Sequence, residues 1–237
     1  MTAPHTPRLT IVIPVLDEIE RLPDLLSELR DTQSEAHVVV ADGGSCDGSL
    51  QFARAFCHSH ANRFRLVQAE AGRARQMNRA AELVESGWIL FLHADTRLPD
   101  DTRYLLDRAW RSGCLWGRFD VSFDTPHRSL NMVAWFMNAR SHLTGIATGD
   151  QAIFVRADTF AAVDRYPPIP LMEDIALSKA LRSHSRPCRL RTPVTTSARR
   201  WQQRGVLRTI LAMWGLRFAY WAGVAPEWLV GRYHRVR

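Results

Sequence analysis

The sequence predicts an α/β domain, a mainly parallel sheet flanked by helices, and three observations predict it. Apolar β-branched runs and helical patterns alternate four times in about the first ninety residues. The runs are apolar throughout, as strands buried on both faces read. Polar residues gather where the runs stop: Asp17 and Glu18 after the first, Asp42 after the second, His93 and Asp95 after the fourth. Ligands of such sheets sit at the carboxyl ends of the strands.

Taken in order, "LTIVIPV" (9–15) is the first buried strand. Leu22, Leu25, Leu26 and Leu29 then repeat at helical spacing and predict an amphipathic helix over 18–30. "HVVVADGG" (37–44) is a strand running into a glycine turn, with "SLQFARAFC" the helix behind it. "RFRLVQAE" (63–70) is a third strand, "GRARQMNRAAELVESG" a helix closed by Gly87, and "WILFLHAD" (88–95) a fourth strand. Beyond 113 the alternation weakens: "CLWGRFDVSF" and "QAIFVRA" read as strands, "LNMVAWFMNAR" and "LMEDIALSKALRS" as helices. Pro167, Pro168 and Pro170 mark the loop before the last of these. This second half is expected to cover the first, not to fold alone.

At 237 residues and 46% hydrophobic content the chain can bury one sizeable core. Cys46, Cys57, Cys114 and Cys188 lie far apart with no C-x-x-C pair, so neither a zinc knuckle nor a dense disulfide framework is expected, and a reducing cytoplasm is the simpler home. No basic stretch followed by a long apolar run opens the sequence, so no signal peptide is read. Net charge is +7, and Lys179 is the only lysine. An arginine-dominated excess suits nucleic acid, a diphosphate-bearing ligand or anionic lipid, or reflects codon bias alone.

"IVIPVLDE", "VVVADGGSCDGS", "GRARQMN", "LHADT", "GDQAIFVR" and "MEDIALSKAL" follow one another in this order. In that order the chain resembles family 2 glycosyltransferases of the GT-A fold, and more narrowly a bacterial subgroup of small single-domain members associated with radical-SAM and selenodomain genes. The resemblance runs from Leu9 to Trp201. It implies a GT-A domain over 8–204, divided into a nucleotide-binding half (8–112) and an acceptor half (113–204), with an amphipathic basic tail over 205–237. It further implies single-step inverting transfer of a sugar from a nucleotide-diphosphate sugar, UDP-linked, to an acceptor hydroxyl. Such chemistry needs a base for the hydroxyl proton and a cation at the departing diphosphate.

On the family pattern Asp42 accepts a hydrogen bond from the uracil ring, and the Pro14 to Glu18 turn, with Asp17, packs on the nucleoside. Gly43 stands where the family usually has a second acid. Arg73 and Arg75 lie at a helix N-terminus suited to phosphate, with Asn78 one turn on and facing the same cavity. In "LHADT", Asp95 keeps the metal-binding place of a D-x-D turn, while His93 replaces the first acid; imidazole can ligate Mn²⁺ or donate to a ribose oxygen, so Mn²⁺ or Mg²⁺ is the expected cofactor. Asp174 matches the general base and Glu173 its orienting partner. Asp150 and Gln151 match the sugar- or acceptor-side positions, as do Arg200 and Trp201 of "SARRW". Ser197 replaces the glutamine of processive members, which implies a single addition.

In the tail, Leu207, Ile210, Leu211, Trp214, Phe218 and Trp221 share one helical face with Arg208 and Arg217 on its flanks. Aromatic content and the basic end (Arg232, Arg235, Arg237) suit an anionic membrane surface, and two arginines within about twenty residues argue against a spanning helix. The same face could instead pack on the domain or on a second subunit in a homodimer. The expectation is a cytoplasmic protein peripheral on the inner face of the cell membrane, with a lipid-linked acceptor. Three rivals stand beside it. A nucleotidyltransferase of related fold would carry a glycine-rich loop with a basic residue after strand one, where "PVLDEIERLP" offers acids. A nucleic-acid-binding module would expose aromatics and arginines on a sheet, whereas these strands read as buried, so no nucleic acid is expected. A catalytically silent relative would not need Asp42, Asp95 and Asp174.

Overall fold

The computed structural model describes residues 7–199, 201 and 206–236. Its centre is an eight-stranded sheet in the order β3-β2-β1-β4-β7-β6-β8-β5. The strands are β1 (Leu9–Val15), β2 (His37–Asp42), β3 (Phe64–Gln68), β4 (Trp88–Phe91), β5 (Thr96–Arg97), β6 (Trp116–Phe123), β7 (Phe154–Arg156) and β8 (Cys188–Thr196). β1 lies between β2 and β4, parallel to both, with Ile11 opposite Val38 on one side and Leu90 on the other. The parallel expectation holds for β3-β2-β1-β4; β7 then pairs antiparallel to β4 and β6, and β5 antiparallel to β8, so the whole sheet is mixed.

Successive residues of a strand point to opposite faces, and β1 divides the core accordingly. Ile11, Ile13 and Val15 pack with Leu22, Leu25, Leu26 and Leu29 of α1 (Leu22–Thr32) and Leu106 of α4 (Thr102–Arg111). Val12 faces the other layer, with Ala74, Met77 and Ala80 of α3 (Arg73–Ala81) and Leu177 and Leu181 of α7 (Glu173–Arg182). Every residue of β1 is buried, which is why its sequence carries no polar alternation. α2 (Ser49–Ser59), α5 (Arg128–Thr144) and α6 (Ala157–Ala162) complete the flanking layers.

Three local expectations are corrected. The third helix stops at Ala81, well short of Gly87. The fourth strand stops at Phe91, because Leu92 to Asp95 turn toward the carboxyl edge. The cysteines are not all free: Cys114 and Cys188, 74 residues apart, form a disulfide where β6 and β8 begin, and folding alone brings their Cα atoms to 6.2 Å.

The tail is not one helix but two, α8 (Val206–Trp221) and α9 (Pro226–Val236), joined across Gly223. Leu216 and Leu229 are buried against Leu171, Met172 and Ile175, with Met213, Tyr220 and Val230 packed around them. The face expected to be apolar does exist, and it points outward: Leu211, Trp214, Phe218 and Trp221 are all more than 60% exposed. The side chain of Leu207 lies outside the described residues. α8 is thus apolar on two sides, one spent on the domain and the other uncovered. Among the described residues no helix is long and apolar enough to cross a membrane.

Candidate active site

Strand order reverses around β1, so the loops leaving β1 and β4 diverge and leave a crevice between them. That crevice is a cleft of about 490 Å³, lined by Pro14, Leu16 and Glu18 from the first turn, by residues 71–76, by His93 to Asp95, by Pro168 to Leu171 with Glu173, and by Glu227 and Val230 of α9. Of the residues expected at the site, the fold brings Pro14, Glu18, Arg73, Arg75, His93, Asp95 and Glu173 to this one wall. A more open groove of about 610 Å³ outside β3, beside Arg54, Cys57 and His58, contains no such group of acids.

Asp42 ends β2 and is wholly buried. Its Oδ2 accepts from the Gly44 and Ser45 N–H groups at 2.8 and 3.1 Å, which folds the following loop back on the strand. Its Oδ1 is enclosed and has no donor among the described residues. Asp17 stands outside the cleft and holds the same loop: its Oδ1 accepts from the Cys46 N–H at 2.8 Å, with the residue itself at φ 54°. Gly43 has a steric reason that the sequence hides. A Cβ there would stand 2.9 Å from the Cδ of Gln76, whose Nε2 donates to the Val15 and Ala41 carbonyls at 2.7 and 2.8 Å. Gln76 therefore clamps the ends of β1 and β2 and occupies the space a second acid would need. The available signal was a polar residue on the buried face of α3, among Ala74, Met77 and Ala80.

Arg73 and Arg75 sit in the first turn of α3, where unpaired N–H groups and the helix dipole favour an anion. Arg75 pairs with Glu70 at 2.6 Å, but both side chains are more than half exposed, so the pair is weak and can yield to a phosphate. Asn78 does not face the cleft as expected. Its Nδ2 donates to the Tyr166 carbonyl at 2.8 Å and its Oδ1 accepts from the Tyr166 N–H at 3.1 Å, so it fastens the loop before α7 to α3.

The turn after β4 places His93 and Asp95 on the cleft wall. The His93 ring is buried against Gly149, where a Cβ would lie 2.3 Å from its Cε1, and its Nδ1 faces Asp150 Oδ1 at 3.6 Å. The imidazole is held against the 149–150 turn, and Asp95 lines the cleft beside it, half-buried, with Glu18, Glu173 and Glu227 the other carboxylates of the lining. Among the described residues no three His, Cys, Asp or Glu side chains group as a closed metal site. The donor set instead fits a hard cation that takes one protein carboxylate and completes its shell with ligand and water oxygens.

Glu173 and Asp174 open α7 immediately after Met172, whose φ of 67° is costly for a side-chain-bearing residue and is held by its packing on α8 and α9. Glu173 is buried and lines the cleft; burial first, then the charge of Asp174, push its carboxyl up to about 7, against the opposing pull of Arg73 and His93. Asp174 Oδ2 accepts from the Gly149 N–H at 3.0 Å and Oδ1 from the Ile175 N–H at 2.7 Å, so it ties α7 to the turn that carries Asp150. Gln151 is fully buried: its Oε1 accepts from the Thr148 N–H and its Nε2 donates to Asn138, a framework role in place of the expected sugar contact. Trp201 packs edge-on against Phe123 at 5.7 Å, away from the cleft, and Arg200 lies outside the described residues. Glu227 and Val230 were not expected here, since they come from the tail and only tertiary packing brings them over.

A parallel half-sheet with acids and arginines gathered at the carboxyl ends of its strands, extended by antiparallel strands, defines the GT-A fold. The chain belongs to glycosyl transferase family 2: residues 10–167 match the model of that family. Among curated proteins, a PGL/p-HBAD biosynthesis glycosyltransferase of Mycobacterium tuberculosis is 34% identical over 94 residues, 39% of this chain and 37% of that one. The succinoglycan biosynthesis protein ExoA of Rhizobium meliloti is 36% identical over 95 residues, 38% and 29% of the two chains. The chain thus spans between about three and four tenths of the length of the curated relatives it matches. The mannosyltransferase PcManGT of Pyrobaculum calidifontis, solved with GDP-Man and Mn²⁺, superposes with a TM-score of 0.66 at 17% identity, covering 98% of this chain and 70% of its own. S. aureus TarS 1–349 in complex with UDP gives 0.60 at 17% identity, covering 80% and 60%. At these identities the likeness establishes the fold.

Proposed function

We propose that the protein transfers a sugar from a UDP-linked donor to an acceptor hydroxyl in a single inverting step. The observation that carries this reading is the meeting of Arg73, Asp95 and Glu173, from three separate segments, in one cleft. Asp42 Oδ1, enclosed and without a donor among the described residues, suits the imide N–H of a pyrimidine base. The acceptor oxygen bonds to the anomeric carbon as the bond to the diphosphate breaks, and Asp174 takes the hydroxyl proton. Arg73, Arg75 and the N–H groups at the start of α3 meet the charge left on the diphosphate. Asp95 would hold a divalent cation, Mn²⁺ or Mg²⁺, which when bound supplies Lewis-acid neutralisation of the same charge. The Mn²⁺ and nucleotide ligands of the structural neighbours support this assignment. His93 orients Asp150 toward the sugar. Ser197, in place of the glutamine of processive relatives, supports a single addition.

Glu173 is the second reading for the base, favoured because its carboxyl lines the cleft while both Asp174 oxygens accept backbone hydrogen bonds. Transfer assays separate the two. Asp174→Asn is expected to lower turnover by about 10² to 10⁴ with UDP affinity retained; unchanged turnover, with loss in Glu173→Gln, reassigns the proton. Titration of UDP with Mn²⁺ should weaken about tenfold in Asp95→Ala, and equal affinity with EDTA present removes the cation from the reading.

The uncovered face of α8, with exposed Trp228 of α9, supports docking on the cytoplasmic face of an anionic membrane and a lipid-linked acceptor. Deleting the tail is a poor test, because Leu216 and Leu229 pack against the segment that carries Glu173. Trp214→Glu with Phe218→Glu changes only the outer face. The pair should abolish sedimentation with anionic liposomes, and a dimer that dissociates in the same variant would assign the face to a second subunit.

A further inference from the structure

β3 is an edge strand: it pairs with β2, and among the described residues no strand lies beyond it. A parallel ladder uses the N–H and C=O groups of alternate residues. The Arg63 carbonyl accepts from the Val38 N–H at 2.8 Å, and the Ala69 N–H donates to the Asp42 carbonyl at 2.9 Å. The residues in step with these two, Arg65 and Val67, therefore turn their backbone groups to β2, and Leu66 and Gln68 turn theirs outward from the sheet. The groove of about 610 Å³ lies along this edge, with Leu66 and Gln68 in its lining. Outward N–H and C=O groups are a template for another extended chain, and a groove beside them receives that chain's side chains.

The lining specifies the partner. Successive side chains of an added strand point to opposite faces of the sheet. On the face of Leu66, Arg54 and His58 stand four residues apart on α2 and so on one side of that helix. On the face of Val67, Arg65 and Leu83 line the groove. Arg54, His58 and Arg65 are exposed and pair with no carboxylate among the described residues, and no acid lines the groove. A second copy of this chain fits poorly, because an isologous pair would set the same arginines against each other. Phe64, the one phenyl ring of the lining, is 2% exposed and offers a nucleic-acid base no face to stack on. A strand bearing carboxylates meets both the backbone groups and the charge.

We propose that the β3 edge is a docking site for an extended acidic segment of another protein, which adds a strand to the sheet and sets its carboxylates against Arg54, His58 and Arg65. The edge shares no lining residue with the donor cleft, so the proposal stands apart from the glycosyl-transfer reading. Calorimetric titration of the full chain tests it with the peptide Glu-Val-Glu-Glu-Val-Glu, acetylated and amidated, which carries acids on both faces of a strand. The peptide should bind and should slow amide hydrogen exchange at Leu66 and Gln68. Lysine in place of each glutamate should weaken binding at least about tenfold. Proline in place of both valines should do the same, because it takes one N–H from each edge of the peptide. Arg54→Glu with Arg65→Glu, two exposed positions, should also lose about tenfold or more, with circular dichroism at wild type. No binding of the acidic peptide, equal binding of the lysine or proline peptide, or wild-type affinity in the double variant each overturns the proposal. Displacement of the peptide by an equal concentration of oligothymidylate would assign the edge to nucleic acid and overturn it as well.

Discussion

Replacing Glu173 by glutamine should stabilise the protein in alkali and leave it nearly unchanged in acid. The side chain is buried beside Asp174, and its carboxyl is pushed from an ordinary 4.5 to about 7. Between those values the folded protein holds a proton that the unfolded chain has released, so stability falls as pH rises. The contribution of the protonated acid is fully present below 4.5 and is lost as pH climbs through 7. Above that, wild type carries an ionised carboxylate in a site that disfavours it, a cost on the order of 3 kcal/mol. Glutamine keeps the shape and never ionises. Urea denaturation of both proteins at about pH 5, 7 and 9 should therefore show a stability difference that grows from near zero to roughly 2–3 kcal/mol in favour of the variant. Arg73→Ala removes a positive charge that pulls the carboxyl down and should widen the gap. A difference that stays constant over this range would refute the reasoning, because only a proton bound differently by the two states makes it vary.

Gly149→Ala would place a Cβ 2.3 Å from the His93 ring and force it off the turn; a loss of about 1–3 kcal/mol is expected by thermal unfolding, largely recovered in Gly149→Ala/His93→Ala. Gly43→Ala should displace Gln76 and break its bonds to the ends of β1 and β2, costing about 1–3 kcal/mol, and adding Gln76→Ala should relieve most of the clash without restoring the clamp. Asn78→Ala should lose about 1–2 kcal/mol of stability in denaturant while UDP affinity stays at wild type, whereas Arg73→Ala should weaken UDP binding.

The sequence by itself determined the first four parallel strands and their layers, because residues such as Ile11, Val12 and Ile13 must be buried on both faces and their β-branched run admits little else. It also determined that acids stand at the strand ends, since chain order alone puts Asp42 at the end of β2 and Asp95 after β4. Which of these groups meet was decided by tertiary structure. Asn78 has the spacing to face the cleft, yet its amide is taken by Tyr166, 88 residues away, and no local pattern encodes that partner. Gly43 reads as a lost acid until Gln76 is seen in its space, and nothing near His93 in the sequence announces that Gly149 and Asp150 stand against its ring. The tail shows the division most plainly. Helical spacing located an apolar face at Trp214 and Phe218, but a helix that is apolar on two sides does not announce which side it buries. The domain took Leu216 and, from α9, Leu229, because those are the side chains that fit against Leu171 and Met172, and so brought Glu227 into the cleft. Periodicity is a property of one segment, whereas contact depends on the shape of everything packed against it.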